Sequence, residues 1–132
     1  MKRERQQRGF TIIELMVVIS IILILVSIAA PIFTGSIQKA RETVLRQDLF
    51  TMRAAIDGYT MDKGKAPQSL DDLVQAGYLK AIPKDPISDS TSTWQTDMED
   101  VLISVDQNEP GISDVHSGAP GNGSDGTAYS TW

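Results

Sequence analysis

Gly9-Phe10-Thr11-Ile12-Ile13-Glu14-Leu15-Met16-Val17-Val18 opens a stretch that carries no charge from Leu15 to Ile37, 23 positions in all. As a helix, that length covers roughly 35 Å at about 1.5 Å per residue, enough to cross the hydrocarbon core of a bilayer. Ile, Leu and Val occupy every face, so such a helix needs lipid or packed protein all round it. Upstream lie Lys2, Arg3, Arg5 and Arg8 against Glu4, a net of +3. A basic leader holds the N-terminus in the cytoplasm and places the rest of the chain beyond the span.

A plain membrane anchor accounts for the length but not for Glu14. A secretory signal has a shorter apolar core and a small-residue cleavage site at its far end. Ala29-Ala30-Pro31 mimics such a site, but the apolar run is too long. A carboxylate at the mouth of an apolar segment is costly unless it finds a counter-charge. The nearest candidate is the free amine of a neighbouring copy, and that amine exists at Phe10 only if the chain is cut after Gly9.

Arg8-Gly9-Phe10-Thr11-Ile12-Ile13-Glu14-Leu15-Met16 closely resembles the prepilin cleavage and methylation motif of type IV pilins and type II secretion pseudopilins. The resemblance rests on Gly before the cut, Phe after it, Glu at the fifth mature position and the apolar run beyond. It implies cleavage between Gly9 and Phe10 by a prepilin peptidase and N-methylation of Phe10. It also implies pairing of Glu14 with the amine of an adjacent subunit during assembly.

Pro31 lies inside the apolar run, where loss of a backbone hydrogen bond predicts a kink or local melting. A helix ending at Ala30 is the alternative, but the pattern resumes beyond Gly35. From there Leu45, Leu49, Met52, Ile56 and Tyr59 recur at spacings of four and three, with Arg41, Arg46, Asp48, Arg53 and Asp57 on other faces. One helix from about Phe10 to Met61 is predicted, ended by Gly64. Ser69 is the expected N-cap of a short second helix, with Asp71 and Asp72 in its first turn. Thr91 to Thr96, Val101 to Val105 and Ser113 to His116 are the strand candidates. Trp94, Tyr129 and Trp132 are expected to pack.

The expected fold class is therefore α+β, pilin-like: one long N-terminal helix packed against a small domain with a short helix and antiparallel strands. The expected divisions are a cleaved cytoplasmic leader at 1–9 and a transmembrane or fibre-core half-helix at 10–37. An amphipathic half-helix at 38–62 and a small periplasmic or extracellular domain with a Gly-rich C-terminal loop at 63–132 follow.

Lys65-Ala-Pro67, Ser69-Leu-Asp-Asp-Leu-Val74, Ala76-Gly-Tyr-Leu79, Asp85-Pro86, Thr93-Trp94 and Gly111-Ile-Ser-Asp-Val-His-Ser-Gly118 resemble the major pseudopilin branch of type II secretion. That resemblance implies a structural calcium ion in the C-terminal loop. Calcium takes six to eight oxygen ligands, and Asp125, Ser117, Asp114 and Asn122 are the candidate ligands here. Pro120 stands at a position where the branch often has Asp. Asp, Asn, Ser and Gly are also ordinary turn residues.

The chain of 132 residues carries a net charge of −5, which leaves −8 for the residues after Gly9. An acidic body is a poor partner for nucleic acid. With no cysteine there is no disulfide and no thiol nucleophile. His116 is the only histidine, and a local packing or hydrogen-bonding role is expected of it. No serine-histidine-acid order and no phosphate loop are present, so a non-enzymatic structural subunit is expected. The expected role is polymerisation into the periplasmic pseudopilus of a type II secretion system. Its partners would be copies of itself, the prepilin peptidase, an assembly platform with its ATPase, minor pseudopilins and the inner membrane. A type IV pilus subunit for adhesion or motility, and an anchored binding module that never polymerises, are the competing expectations.

Overall fold

The structure is a computed structural model in which residues 9–99 and 109–132 are described. The expected leader up to Arg8 and the expected strand Val101 to Val105 lie outside the described residues. The elements are helix α1 (Ile12–Lys63), helix α2 (Leu70–Gln75), strands β1 (Trp94–Glu99) and β2 (Gly111–Ser117), and a 3-10 turn at Tyr129–Thr131. The fold is mixed α+β, as the periodicities predict. Contacts divide the chain into two compact units, Met1–Ile37 and Gln38–Trp132.

In the first unit the helix is helical without a break through Pro31. Proline deletes one ladder bond, while the hydroxyls of Ser27, Thr34 and Ser36 donate to carbonyls three or four residues back. This segment is long and apolar enough to cross a membrane, and none of its most apolar window is buried within the chain.

In the second unit the helix presents one packed face. Leu45, Leu49, Met52, Ala55 and Ile56 are buried and cluster with Leu73, Leu79, Ile112, Val115, Ala119 and Tyr129. The spacing of four, three and four along α1 places the large side chains over one another on one side. The helix ends at Gly64, whose φ of 68° is left-handed and whose N–H donates to the Thr60 carbonyl at 2.9 Å. That geometry satisfies an orphan carbonyl and disfavours any residue with a Cβ.

Ser69 caps α2 through a capping box. Its side chain accepts from the Asp72 N–H, and the Asp72 carboxylate accepts from the Ser69 N–H at 3.0 Å. The two strands pair antiparallel, from Trp94 opposite Ser117 to Glu99 opposite Gly111, with an irregularity between Asp97 and Met98. The first strand begins three residues later than the Thr91 expected from sequence. Ser88 and Thr93 exchange a hydrogen bond at 2.6 Å, and Ser90 and Ser92 another at 2.9 Å, which folds the preceding serines into a turn. A Cβ at Gly118, just past β2, would sit 2.0 Å from the Thr93 carbonyl oxygen, so only glycine allows the chain to leave the ladder there.

Leu49 lies at the centre of this core at 2% exposure, whereas Val44 is half exposed. Leu49→Ala is expected to cost about 2–5 kcal/mol. Val44→Ala in the unassembled chain should stay within about 0.5 kcal/mol of the parent. Chemical denaturation of both variants in detergent checks the contrast.

Candidate functional site

Two places gather the residues that the sequence singles out. The first is the start of α1. Gly9 and Phe10 precede the helix, and the Phe10 side chain is 87% exposed. Thr11 caps the helix: the Glu14 N–H donates to Thr11 Oγ1 at 3.1 Å and the Leu15 N–H to the Thr11 carbonyl at 3.2 Å. Glu14 therefore stands in the first turn. Free N–H groups and the positive end of the helix dipole favour a negative charge there. The sequence reasoning missed Thr11, although Thr-x-x-Glu before an apolar run is a capping signature. The Gly9–Phe10 bond thus lies on an exposed, non-helical segment immediately before the helix, with Glu14 one turn away.

The second place is the C-terminal loop. The four expected calcium ligands are held by different partners. Asp114, on β2, accepts from Arg53 Nε at 2.6 Å and from the Val115 N–H at 2.7 Å. Burial works against its charge, but these donors outweigh that and hold its carboxyl below the ordinary carboxylate range. Ser117 is fully buried and its hydroxyl donates to Asp85 Oδ2 at 2.6 Å. Asn122 pairs with Ala128 through a backbone bridge. Asp125 Oδ1 accepts from the Thr127 hydroxyl at 2.6 Å and the Thr127 N–H at 2.9 Å, while Oδ2 accepts from Arg46 at 2.8 Å. Those Thr127 bonds, with Arg46 behind them, lower its pKa. Among the described residues, no three of Asp, Glu, His or Cys gather in a group able to hold a metal ion.

Side chains that read as solvated from sequence do much of the fastening. Glu42 is buried and accepts from the Ser124 N–H at 2.8 Å, the Ser124 hydroxyl, the Tyr129 hydroxyl at 3.0 Å and Gln38 at 3.1 Å. The Ser124 hydroxyl is the main reason its pKa falls below the usual value. Arg53 also reaches the Val115 carbonyl at 2.9 Å and the Trp132 backbone oxygen at 2.8 Å. His116 directs Nδ1 to that same oxygen at 2.7 Å and Nε2 towards Asp97 at 3.2 Å, a local hydrogen-bonding role. Trp94 and Trp132 pack against the core and Tyr129 belongs to it. Gln38 apart, the partners of Glu42 and Arg53 lie 61 to 87 residues away, so no local signal marks their role.

A model of the prokaryotic N-terminal methylation motif matches residues 5–30. Over nearly its whole length the chain is similar to type II secretion system core protein G of Escherichia coli K12, at 33% identity over 91% of this chain and 86% of that one. The same protein of Klebsiella michiganensis is 31% identical over 85% and 92%. The chain belongs to this core protein G family. The Pseudomonas aeruginosa member is 36% identical over 64% of this chain and 70% of its own. No solved structure matches the chain.

The lowered pKa values of Glu42, Asp114 and Asp125 set the acid limb of stability. A carboxyl with a depressed folded pKa contributes stability that is complete above its unfolded value and is lost as pH falls through the folded one. Stability should therefore hold from neutrality to about pH 4 and fall below it. Asp48 has the opposite sign: burial first, and the Asp85 charge second, raise its pKa. Asp48→Asn should raise the melting temperature at pH 7 by a few degrees and lose that advantage near pH 3. Thermal melts across pH read both effects.

Proposed function

We propose that this chain is the structural, non-catalytic subunit of a type II secretion pseudopilus. It is made as an inner-membrane precursor with its N-terminus in the cytoplasm and its body in the periplasm. A prepilin peptidase cuts between Gly9 and Phe10, and the new Phe10 amine is methylated. Copies then leave the bilayer and stack, so that helix packing replaces lipid around the apolar segment. An assembly platform and its ATPase, together with minor pseudopilins, are the partners this role requires.

One observation carries the reading: an apolar helical surface, Ile12 to Ile37, that is exposed on all sides within its own chain and interrupted by a single carboxylate at its entrance. A surface of that size is stable only in lipid or against other protein. The dipole of α1 offsets part of the Glu14 charge. A methylated amine on the neighbouring subunit would supply the rest as a charge-assisted hydrogen bond. The Gly9–Phe10 bond is exposed and outside the helix, which leaves it open to a peptidase.

The relatives named as core protein G favour the secretion pseudopilus over a surface pilus. The separate compactness of residues 38–132 fits a folded body displayed outside the membrane.

After co-expression with a prepilin peptidase and the assembly machinery, N-terminal sequencing should read Phe10 first, and electron microscopy should reveal fibres. Glu14→Ala should insert and be cut normally, while fibre yield falls roughly tenfold, the order expected when each subunit loses one charge-assisted pair. Mature protein that keeps Met1, or full fibre yield from Glu14→Ala, would be incompatible with this role.

A further inference from the structure

Residues 118–128 carry glycine at 118, 121, 123 and 126, so ordering this loop costs more backbone entropy than an average stretch. Something must hold it. The metal-binding alternative draws on Asp114, Ser117, Asn122 and Asp125, and the donor set does not fit. Asp114 and Asp125 are each engaged by a different arginine. The Ser117 hydroxyl is buried and donates its proton to Asp85, while its oxygen also accepts from the Ala119 N–H at 3.1 Å. A divalent cation at Asp125 would meet the Arg46 guanidinium, a like charge already seated 2.8 Å from the carboxylate.

Groups of the chain itself fill the fastening role. Glu42 and Arg46 are four residues apart, hence on the same face of α1. The Glu42 carboxylate receives both donors of Ser124 and the Tyr129 hydroxyl. Arg46 lies on Asp125 and, 4.0 Å from the ring centroid, over Trp132. Trp132 closes the circuit by donating its indole N–H to Thr127 Oγ1 at 2.6 Å. A Cβ at position 123 would fall 2.3 Å from the Trp132 ring, so the loop backbone lies directly on the indole and leaves no room for a ligating side chain there.

We propose that the loop is closed by one turn of α1, with Glu42 as its anionic anchor and Arg46 as an internal cation on Asp125, and that the folded body is independent of divalent metal. The two parts differ in weight. The Arg46–Asp125 pair is 59% and 43% exposed, so salt screens it and its share is small. Glu42 is buried, and its removal leaves Ser124 and Tyr129 donors without their acceptor.

The test is the melting of the full chain in detergent, with millimolar calcium chloride and with excess chelator, alongside metal analysis of the purified protein. Melting reads the loop whether or not fibres form, so its outcome is separate from that of the pseudopilus reading. The expected result is less than one equivalent of bound calcium per ten chains and equal melting temperatures in both buffers. Glu42→Ala should melt lower by about 8 °C in both. Should that variant fail to fold, Glu42→Gln, which keeps one acceptor oxygen, carries the comparison with a shift of about 4 °C. Arg46→Met should fall by a smaller step that vanishes in high salt, and Arg46→Lys should recover part of it. Calcium that raises the parent's melting temperature, calcium that restores Glu42→Ala, or Glu42 variants that melt like the parent would each overturn the proposal.

Discussion

The helix α1 must satisfy two solvents with one continuous backbone. From Ile12 to Ile37 it has apolar side chains on every face and no cover from its own chain. In lipid or in a packed fibre no water is available to backbone polar groups, so a helix is the conformation in which this segment can satisfy itself. The one carboxylate in the run sits where the helix is most hospitable to it, among the unsatisfied N–H groups of the first turn behind the Thr11 cap. Deeper in the helix the same charge would lose the dipole and gain only desolvation. The position of Glu14 is thus a consequence of that constraint.

Beyond Gln38 the same helix becomes the floor of a small body. Its apolar residues narrow to one stripe, and α2, β2 and Tyr129 close over that stripe. A core of this size is marginal for an independent domain, and it is reinforced by polar struts that cross long stretches of sequence. Arg53 joins β2 to the Trp132 backbone, Glu42 joins α1 to Ser124 and Tyr129, and Ser117 joins β2 to the buried Asp85. Asp85 also receives the N–H of Ile87 at 2.8 Å, which folds the Pro86 turn around it. These contacts take the place of disulfides, which a chain without cysteine cannot make.

The methylation motif and the geometry of the C-terminal loop bear on different halves of the molecule. The methylation motif covers residues 5–30 and says nothing of the loop. Similarity to core protein G spans both halves, yet similarity in sequence does not fix how one member closes its loop. Here an arginine and a buried glutamate occupy the surroundings of Asp125 and Ser124, and the electrostatics of the loop follow from those neighbours.

The elements with short-range causes were legible from the chain alone. Hydrophobic period fixed the long helix and its buried stripe; Gly64 and Ser69 marked a helix end and a helix start through bonds spanning three to five residues. The N-terminal methylation motif, with Glu14 inside it, is likewise contiguous, and so readable. What lay beyond reading was the pairing of charges. Arg46, Arg53 and Glu42 look like any solvated helix face until β2 and the loop after it are folded against them. Asp114 and Asp125 read as carboxylates of a turn-rich stretch, and the arginine that each one meets appears only in the fold. The helix, its apolar surface and the N-terminal methylation motif follow from residues close together along the chain, and so were readable from it. The pairing of Glu42, Arg46 and Arg53 with residues 114–132 belongs to the folded state alone, because a charge finds its partner by distance in space, and that distance exists only after folding.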